Sequence, residues 1–152
     1  MRLVSLSSGA GVLRIDDVAY GAVSKYWALP VGGYAVAMRP AGAAADSTPV
    51  VEASVQVRAG GASTIAVFGR NADLRTKEIR DDLALPKAGD ARVRVVQAST
   101  SAAAVRVTAG DETLAAAAAP ATVSPYVAVR AGRSTLEAVS YTHLTLPTNR
   151  EV

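Results

Sequence analysis

Apolar residues in this chain return at every second position, in short runs that glycine or proline soon interrupts. "VEASVQVRA" at 51–59, "VRVV" at 93–96 and "VRVT" at 105–108 alternate valine with polar, charged or small residues. "YAVAMRP" at 34–40 sets Tyr34, Val36 and Met38 on one side before Pro40 ends the run. A period of two marks a strand with one buried and one solvated face. "TIAVFG" at 64–69 is more continuously apolar and lies between Gly60-Gly61 and Gly69. Turn chemistry fills the intervals, at Gly32-Gly33, in "PAGAAADSTP" at 40–49 and in "LPKAGD" at 85–90. Short strands at this spacing, with no convincing amphipathic helix, predict an all-β fold of the antiparallel sandwich type. The one helix-prone stretch, "LAAAAAPA" at 114–121, runs into Pro120. It is expected as an edge strand or loop with at most one helical turn.

Composition supports that reading. Half of the 152 residues are hydrophobic, so a core is affordable, but the chain has one Phe, one Trp and two Met. Its apolar content is mostly Ala and Val, which suits thin sheet layers. The net charge of +3 is small and dispersed. Arg92, Arg94 and Arg106 alternate with valine and read as solvated strand faces, so no nucleic-acid partner is expected. The absence of cysteine excludes disulfides, thiolate metal sites and cysteine nucleophiles while leaving the compartment open. No run approaches a transmembrane helix, and "MRLVSLSSGAGVL" lacks the pattern of a signal peptide. Arginine outnumbering lysine, with abundant alanine, points to a GC-rich bacterial genome.

The chain also resembles itself at an offset of one hundred residues. "GAVSKYWALPVGG" at 21–33 aligns with "ATVSPYVAVRAGR" at 121–133, where Val23-Ser24, Tyr26, Ala28 and Gly32 return as Val123-Ser124, Tyr126, Ala128 and Gly132. A weaker echo joins "MRLVSLSS" at the start to "VRVVQAST" at 93–100. This offset exceeds that of solenoid repeats, whose period is about 20–50 residues, and indicates two copies of one domain. The expected division is a first domain at 1–84, a linker at 85–90 and a partial second copy at 91–139. The second copy lacks counterparts of "VVEASVQV" and "TIAVFG", and in the first a strand or hairpin near Ser7–Gly11 is expected to be missing or compressed.

"YGAVSKYWALPVGGYAVAMRPAG", "VQVRAGGASTIAVFG" and "DDLALPKAGDARVRVVQAST" resemble the DUF4397 family, a domain of unknown function common in actinobacterial secreted and envelope proteins. The typical pattern is a strand, then "YG.VS.Y..LPAG.Y.V.V.PAG", then "V...AG..YT"; "ARVRVVQAST…TVSPYVAVRAG" fits it more loosely. Where the family usually carries "HASP" or "HLSP", this chain has "SLSS" at 5–8 and "QAST" at 97–100, without histidine or proline. The resemblance implies an immunoglobulin-like β-sandwich, often in tandem, and a secreted or cell-envelope location. It implies no catalytic residues.

Chemistry-bearing residues are sparse. A nucleophile–imidazole arrangement needs a positioned base, and the only histidine, His143, lies beyond the last recognisable strand. The carboxylate pairs Asp16-Asp17, Asp81-Asp82 and Asp111-Glu112 are neighbours whose side chains diverge on a strand, and they read as solubilising turn acids. "SSGAG" at 7–11 lacks the residues of a phosphate loop and reads as a plain turn. No enzymatic activity and no metal or other cofactor is expected. The aromatics Tyr20, Tyr26, Trp27 and Tyr34 are the candidate ligand-binding residues, stacking on carbohydrate or peptide. Because Tyr26 recurs as Tyr126, it is also expected as a structural tyrosine with its hydroxyl on backbone at a sandwich corner, and Trp27, which recurs as Val127, is expected in core or interface packing ahead of ligand stacking. The expected roles are those of a spacer or adhesion module, with cell-wall glycan or another envelope protein as partner.

The tail "SYTHLTLPT" at 140–148 does not continue the repeat. The codons TCT TAT ACA CAT CTG ACG CTG CCG ACG encode it and look like a transposon-end sequencing adapter. The expectation is that the native frame ends near Val139 and that 140–152 is read-through.

Overall fold

The computed structural model of the chain describes residues 2–8, 11–15, 18–44, 46–70 and 73–140. Every regular element among them is a β-strand, and every strand pairing is antiparallel. The fold is all-β, as the period-two pattern predicts. The chain divides into two compact units, Met1–Ala84 and Leu85–Val152.

In the first unit β1 (Arg2–Ser8) and β2 (Gly11–Ile15) form a hairpin, and β3 (Gly32–Pro40) and β4 (Val51–Val57) extend it to a sheet ordered β2-β1-β3-β4. β3 buries Tyr34, Val36 and Met38 on alternate positions, and β4 sets Val55 opposite Tyr34 and Val51 opposite Met38. Fully burying a side chain of this size stabilises by roughly 1.5–3 kcal/mol, so five on two adjacent strands make this pair the centre of the unit. Leu13, Ile15, Leu29, Ala53 and Val57 pack around Tyr34, Val36 and Val55. So does Ile65, which belongs to a separate hairpin of β5 (Ala62–Phe68) and β6 (Arg75–Asp81). Phe68 and Ile79 are the buried residues of that hairpin. Gly60, at φ +66°, supplies the turn between β4 and β5, where the Gly61 N–H donates to the Arg58 carbonyl at 3.2 Å.

The second unit contains β7 (Asp90–Val93), β8 (Val96–Gln97), β9 (Val105–Ala109), β10 (Glu112–Ala118), β11 (Thr122–Val123), β12 (Val127–Arg130) and β13 (Leu136–Ser140). Asp90, placed in the linker by the sequence pattern, is the first residue of β7. β12 pairs with β7 and β11 with β8. Ser124 joins the two stretches: its N–H donates to the Val95 carbonyl at 2.9 Å, and its Oγ accepts the Val95 N–H at 2.9 Å. Residues 90–97 and 122–130 therefore run side by side as one interrupted antiparallel ribbon.

The other sheet of this unit is ordered β10-β9-β13. The alanine-rich stretch is the edge strand β10, as expected, and its register against β9 shifts twice. Leu114 and Ala118, an even number of residues apart, are both buried. The order β10-β9-β13 matches β2-β1-β3, and the Ala109–Glu112 pair of the β9–β10 hairpin stands where Ser8–Gly11 stands in β1–β2. Strand order thus places β1 in correspondence with β9. The sequence echo instead sets residues 1–8 against 93–100, which span the end of β7 and β8. Ser8 and Gly11 close the β1–β2 pairing, while residues 9–10, within the stretch expected to miss or compress a strand or hairpin, lie outside the described residues. What distinguishes the second unit is the β7–β8 ribbon strand, which has no counterpart in the first among the described residues.

Candidate functional site

The connection between β2 and β3 carries the candidate residues. Residues 22–30 lie in no strand, and no backbone hydrogen bond joins 23–29 to another segment among the described residues. The connection begins with a turn in which the Ala22 N–H donates to the Ala19 carbonyl at 3.1 Å, with Gly21 at φ +77°. It ends where half-buried Leu29 packs on the core and the Pro30 carbonyl accepts the Tyr34 hydroxyl at 3.0 Å. Between these points Val23 is 92% exposed, Tyr26 68% and Trp27 41%, with Tyr20 and Val31 exposed beside them.

Two polar contacts order this surface. The Tyr26 hydroxyl donates to Asp81 Oδ2 at 2.9 Å, and Thr64 Oγ1 donates to the same oxygen at 3.0 Å. Thr64 and Asp81 lie on the paired strands β5 and β6, so the hairpin holds the tyrosine by its tip and leaves its ring in solvent. Lys25 Nζ stands 4.5 Å from the centre of the Trp27 ring, a cation–π contact worth about 0.5–1 kcal/mol at an exposed site.

The four aromatics therefore separate. Tyr20, Tyr26 and Trp27 share the exposed connection, whereas Tyr34 is 6% exposed and belongs to the core. Its β3 position points it inward, so its ring has no solvated face on which a ligand could stack. The tyrosine whose hydroxyl bonds to backbone is Tyr34, reaching Pro30, and not Tyr26, whose hydroxyl meets side chains.

The second unit treats the corresponding residues differently. Tyr126 is half-buried, and the guanidinium carbons of Arg92 and Arg94 lie 4.9 and 4.7 Å from its ring centre. These arginines are half-buried and stack on an aromatic ring, which corrects their reading as solvated faces. Arg106 is exposed and reaches Thr113 Oγ1 at 3.4 Å.

The acids do not converge. Asp81 accepts from Tyr26 and Thr64, while Asp82 Oδ1 accepts the Ala84 N–H at 2.9 Å. Asp111 and Glu112 border a shallow, open depression with Asp90, Arg130 and Ser134, across which Arg130 Nη1 lies 3.8 Å from Asp90 Oδ1. Among the described residues no three of the His, Cys, Asp and Glu side chains gather as metal ligands, and no helix is long and apolar enough to cross a membrane. Asp16-Asp17, His143 and residues 141–152, with the read-through expectation, lie outside the described residues. Ser140, read as the start of that tail, ends β13 opposite Val105. One residue escaped the sequence reading: Gln97 is buried, its Oε1 accepting the Ser99 N–H at 3.0 Å and its Nε2 unpartnered among the described residues. A polar residue in a valine-rich run carries no signal that would announce burial.

The fold and this surface define a class: an antiparallel all-β module whose distinctive chemistry is an exposed aromatic connection on a packed sheet. The chain belongs to the DUF4397 family, whose model, "Domain of unknown function (DUF4397)", matches residues 6–108, more than half of its length. The match begins in β1, crosses the division at Ala84 and ends in β9. No curated protein and no solved structure matches the chain.

Proposed function

We propose that the chain is a non-catalytic module of an exported bacterial cell-envelope protein, acting as spacer or adhesion unit, built as tandem related copies of an immunoglobulin-like β-sandwich. The observation that carries the reading is the surface of Tyr20, Tyr26 and Trp27 on the β2–β3 connection: apolar, exposed and held in place by Asp81 and the core. Membership of the DUF4397 family and packing of the β5–β6 hairpin against the first sheet support the sandwich reading. The shared order of β2-β1-β3 and β10-β9-β13 supports the tandem reading. Arrays of such modules hold binding surfaces at a distance from one another, and the aromatics give each a face for a cell-wall glycan or another envelope protein.

Localisation and binding are tested together. In cells carrying the native gene the chain is expected in the envelope or extracellular fraction; residence in the cytosol alone would overturn the reading. Purified chain is expected to sediment with isolated envelope material, and Trp27→Ala with Tyr26→Ala to reduce the bound fraction severalfold. Binding indifferent to both substitutions would remove the aromatic connection from the function. A glycan array separates the second reading, carbohydrate recognition, which the exposed Trp27 ring favours: Trp27-dependent retention on a glycan would establish it.

A further inference from the structure

We infer that residues 22–30 are an acceptor for an added β-strand, and that the strand it takes is a basic segment alternating valine with arginine, of the chemistry of Asp90–Gln97. The inference names the partner of the aromatic surface proposed above and rests on that reading. Its ground is the same sequence in two states. Residues 122–130, with Val123-Ser124, Tyr126 and Ala128 in common, pair antiparallel with 90–97: Val123 opposite Val96, Val127 opposite Val93 and Ala128 opposite Arg92. Residues 22–30 lie in no strand, and 23–29 make no backbone hydrogen bond to another segment among the described residues.

The acceptor is already set. Ser124 Oγ donates to the carbonyl of the next residue at 2.8 Å and accepts the Val95 N–H at 2.9 Å. Ser24 Oγ donates to the Lys25 carbonyl at 3.0 Å, the same local geometry, with lone pairs left for an incoming N–H. Side chains agree with backbone. Val123, Tyr126 and Val127, alongside the β7–β8 strand, are half-buried, whereas Val23, Tyr26 and Trp27 are exposed. Tyr126 is covered by Arg92 and Arg94, and the Tyr26 ring offers arginine the same face. Charge is complementary, because the Tyr26 hydroxyl rests on the Asp81 carboxylate and an arginine over that ring would lie near an anion. Backbone pairing supplies affinity in strand addition, and alternate side chains supply specificity.

The probe is a capped synthetic peptide of residues 90–98, DARVRVVQA, titrated into the full chain. Trp27 is the only tryptophan, so its fluorescence reports this site alone. The expected result is a saturable blue shift together with at least tenfold slower amide exchange at 23–29. Methylating the peptide nitrogen at the Val95 position should weaken binding tenfold or more, and Ser24→Ala roughly three- to tenfold. The inference is overturned if a scrambled peptide binds equally, if the shift is absent, or if protection falls only on 122–130. A dimeric chain with 23–29 protected before peptide is added would also overturn it, naming a second copy as the occupant. Envelope binding that survives a failed peptide titration would leave the proposed function standing and remove the strand partner alone.

Discussion

Gly69 sits at φ +98°, and a Cβ built on it would lie 2.3 Å from the backbone carbonyl oxygen of Asp73. Backbone cannot yield as a flexible side chain does, so Gly69→Ala is expected to cost about 1–3 kcal/mol from the disfavoured conformation alone, with the clash added. Urea unfolding followed by Trp27 fluorescence measures it; an unchanged midpoint would show that this turn is not required. Two tyrosines in the same unit give an internal comparison. Tyr34→Phe removes a hydroxyl bonded to the Pro30 carbonyl at the edge of the core and is expected to cost about 1 kcal/mol. Tyr26→Phe removes a hydroxyl from an exposed residue, and the effect is expected to stay within about 0.5 kcal/mol. Reversal of that order in chemical denaturation would mean that Asp81 anchors the unit more than the core does. The sequence marks both as tyrosines near a turn; only burial tells them apart.

Position within a sheet sets the stability of each strand. β3 lies between β1 and β4 and buries three of its side chains, so its amides are expected to exchange with solvent most slowly. β13 pairs on one side only, with β9, and each of its five side chains is exposed. Its amides are expected to exchange first among the strands, and those of β10, an edge strand with a shifting register, next. Mass-spectrometric hydrogen exchange on peptides covering 32–40, 112–118 and 136–140 reads this order. Protection of 136–140 equal to that of β3 would contradict it. Alternation of apolar residues located β3, β4 and β9 because one face of each is buried and the other wet. Alternation does not mark β10, where alanine fills both faces; Pro120 gave the expectation of an edge strand or loop, and pairing with β9 makes it a strand.

The chain is two compact units joined near Ala84–Leu85. Residues 82–89 are exposed and contain Lys87. Trypsin is expected to cut there before it cuts within β3–β6 or β9–β10, separating fragments of the two units on a gel. Early cleavage at Arg80 or Arg106 instead would show that the strands holding them open more readily than the joint. Shared topology gives the two units the same hairpin and neighbouring strand, β2-β1-β3 and β10-β9-β13. Their difference, a ribbon strand present in one and absent from the described part of the other, gives the candidate site its exposure.

The sequence by itself determined the strand class, the positions of most turns, the family and the internal likeness between residues 21–33 and 121–133. These follow from local rules: the period of two, glycine and proline at reversals, and residues recurring at fixed offsets. Tertiary structure decided the remainder. It separated Tyr34 from Tyr26, stacked Arg92 and Arg94 on Tyr126, chose strand over loop for the alanine run, and left 22–30 without the partner that 122–130 has. The physical reason is that burial and pairing depend on which strand lies alongside. That neighbour is chosen by contacts far apart in the chain, which a local pattern does not record.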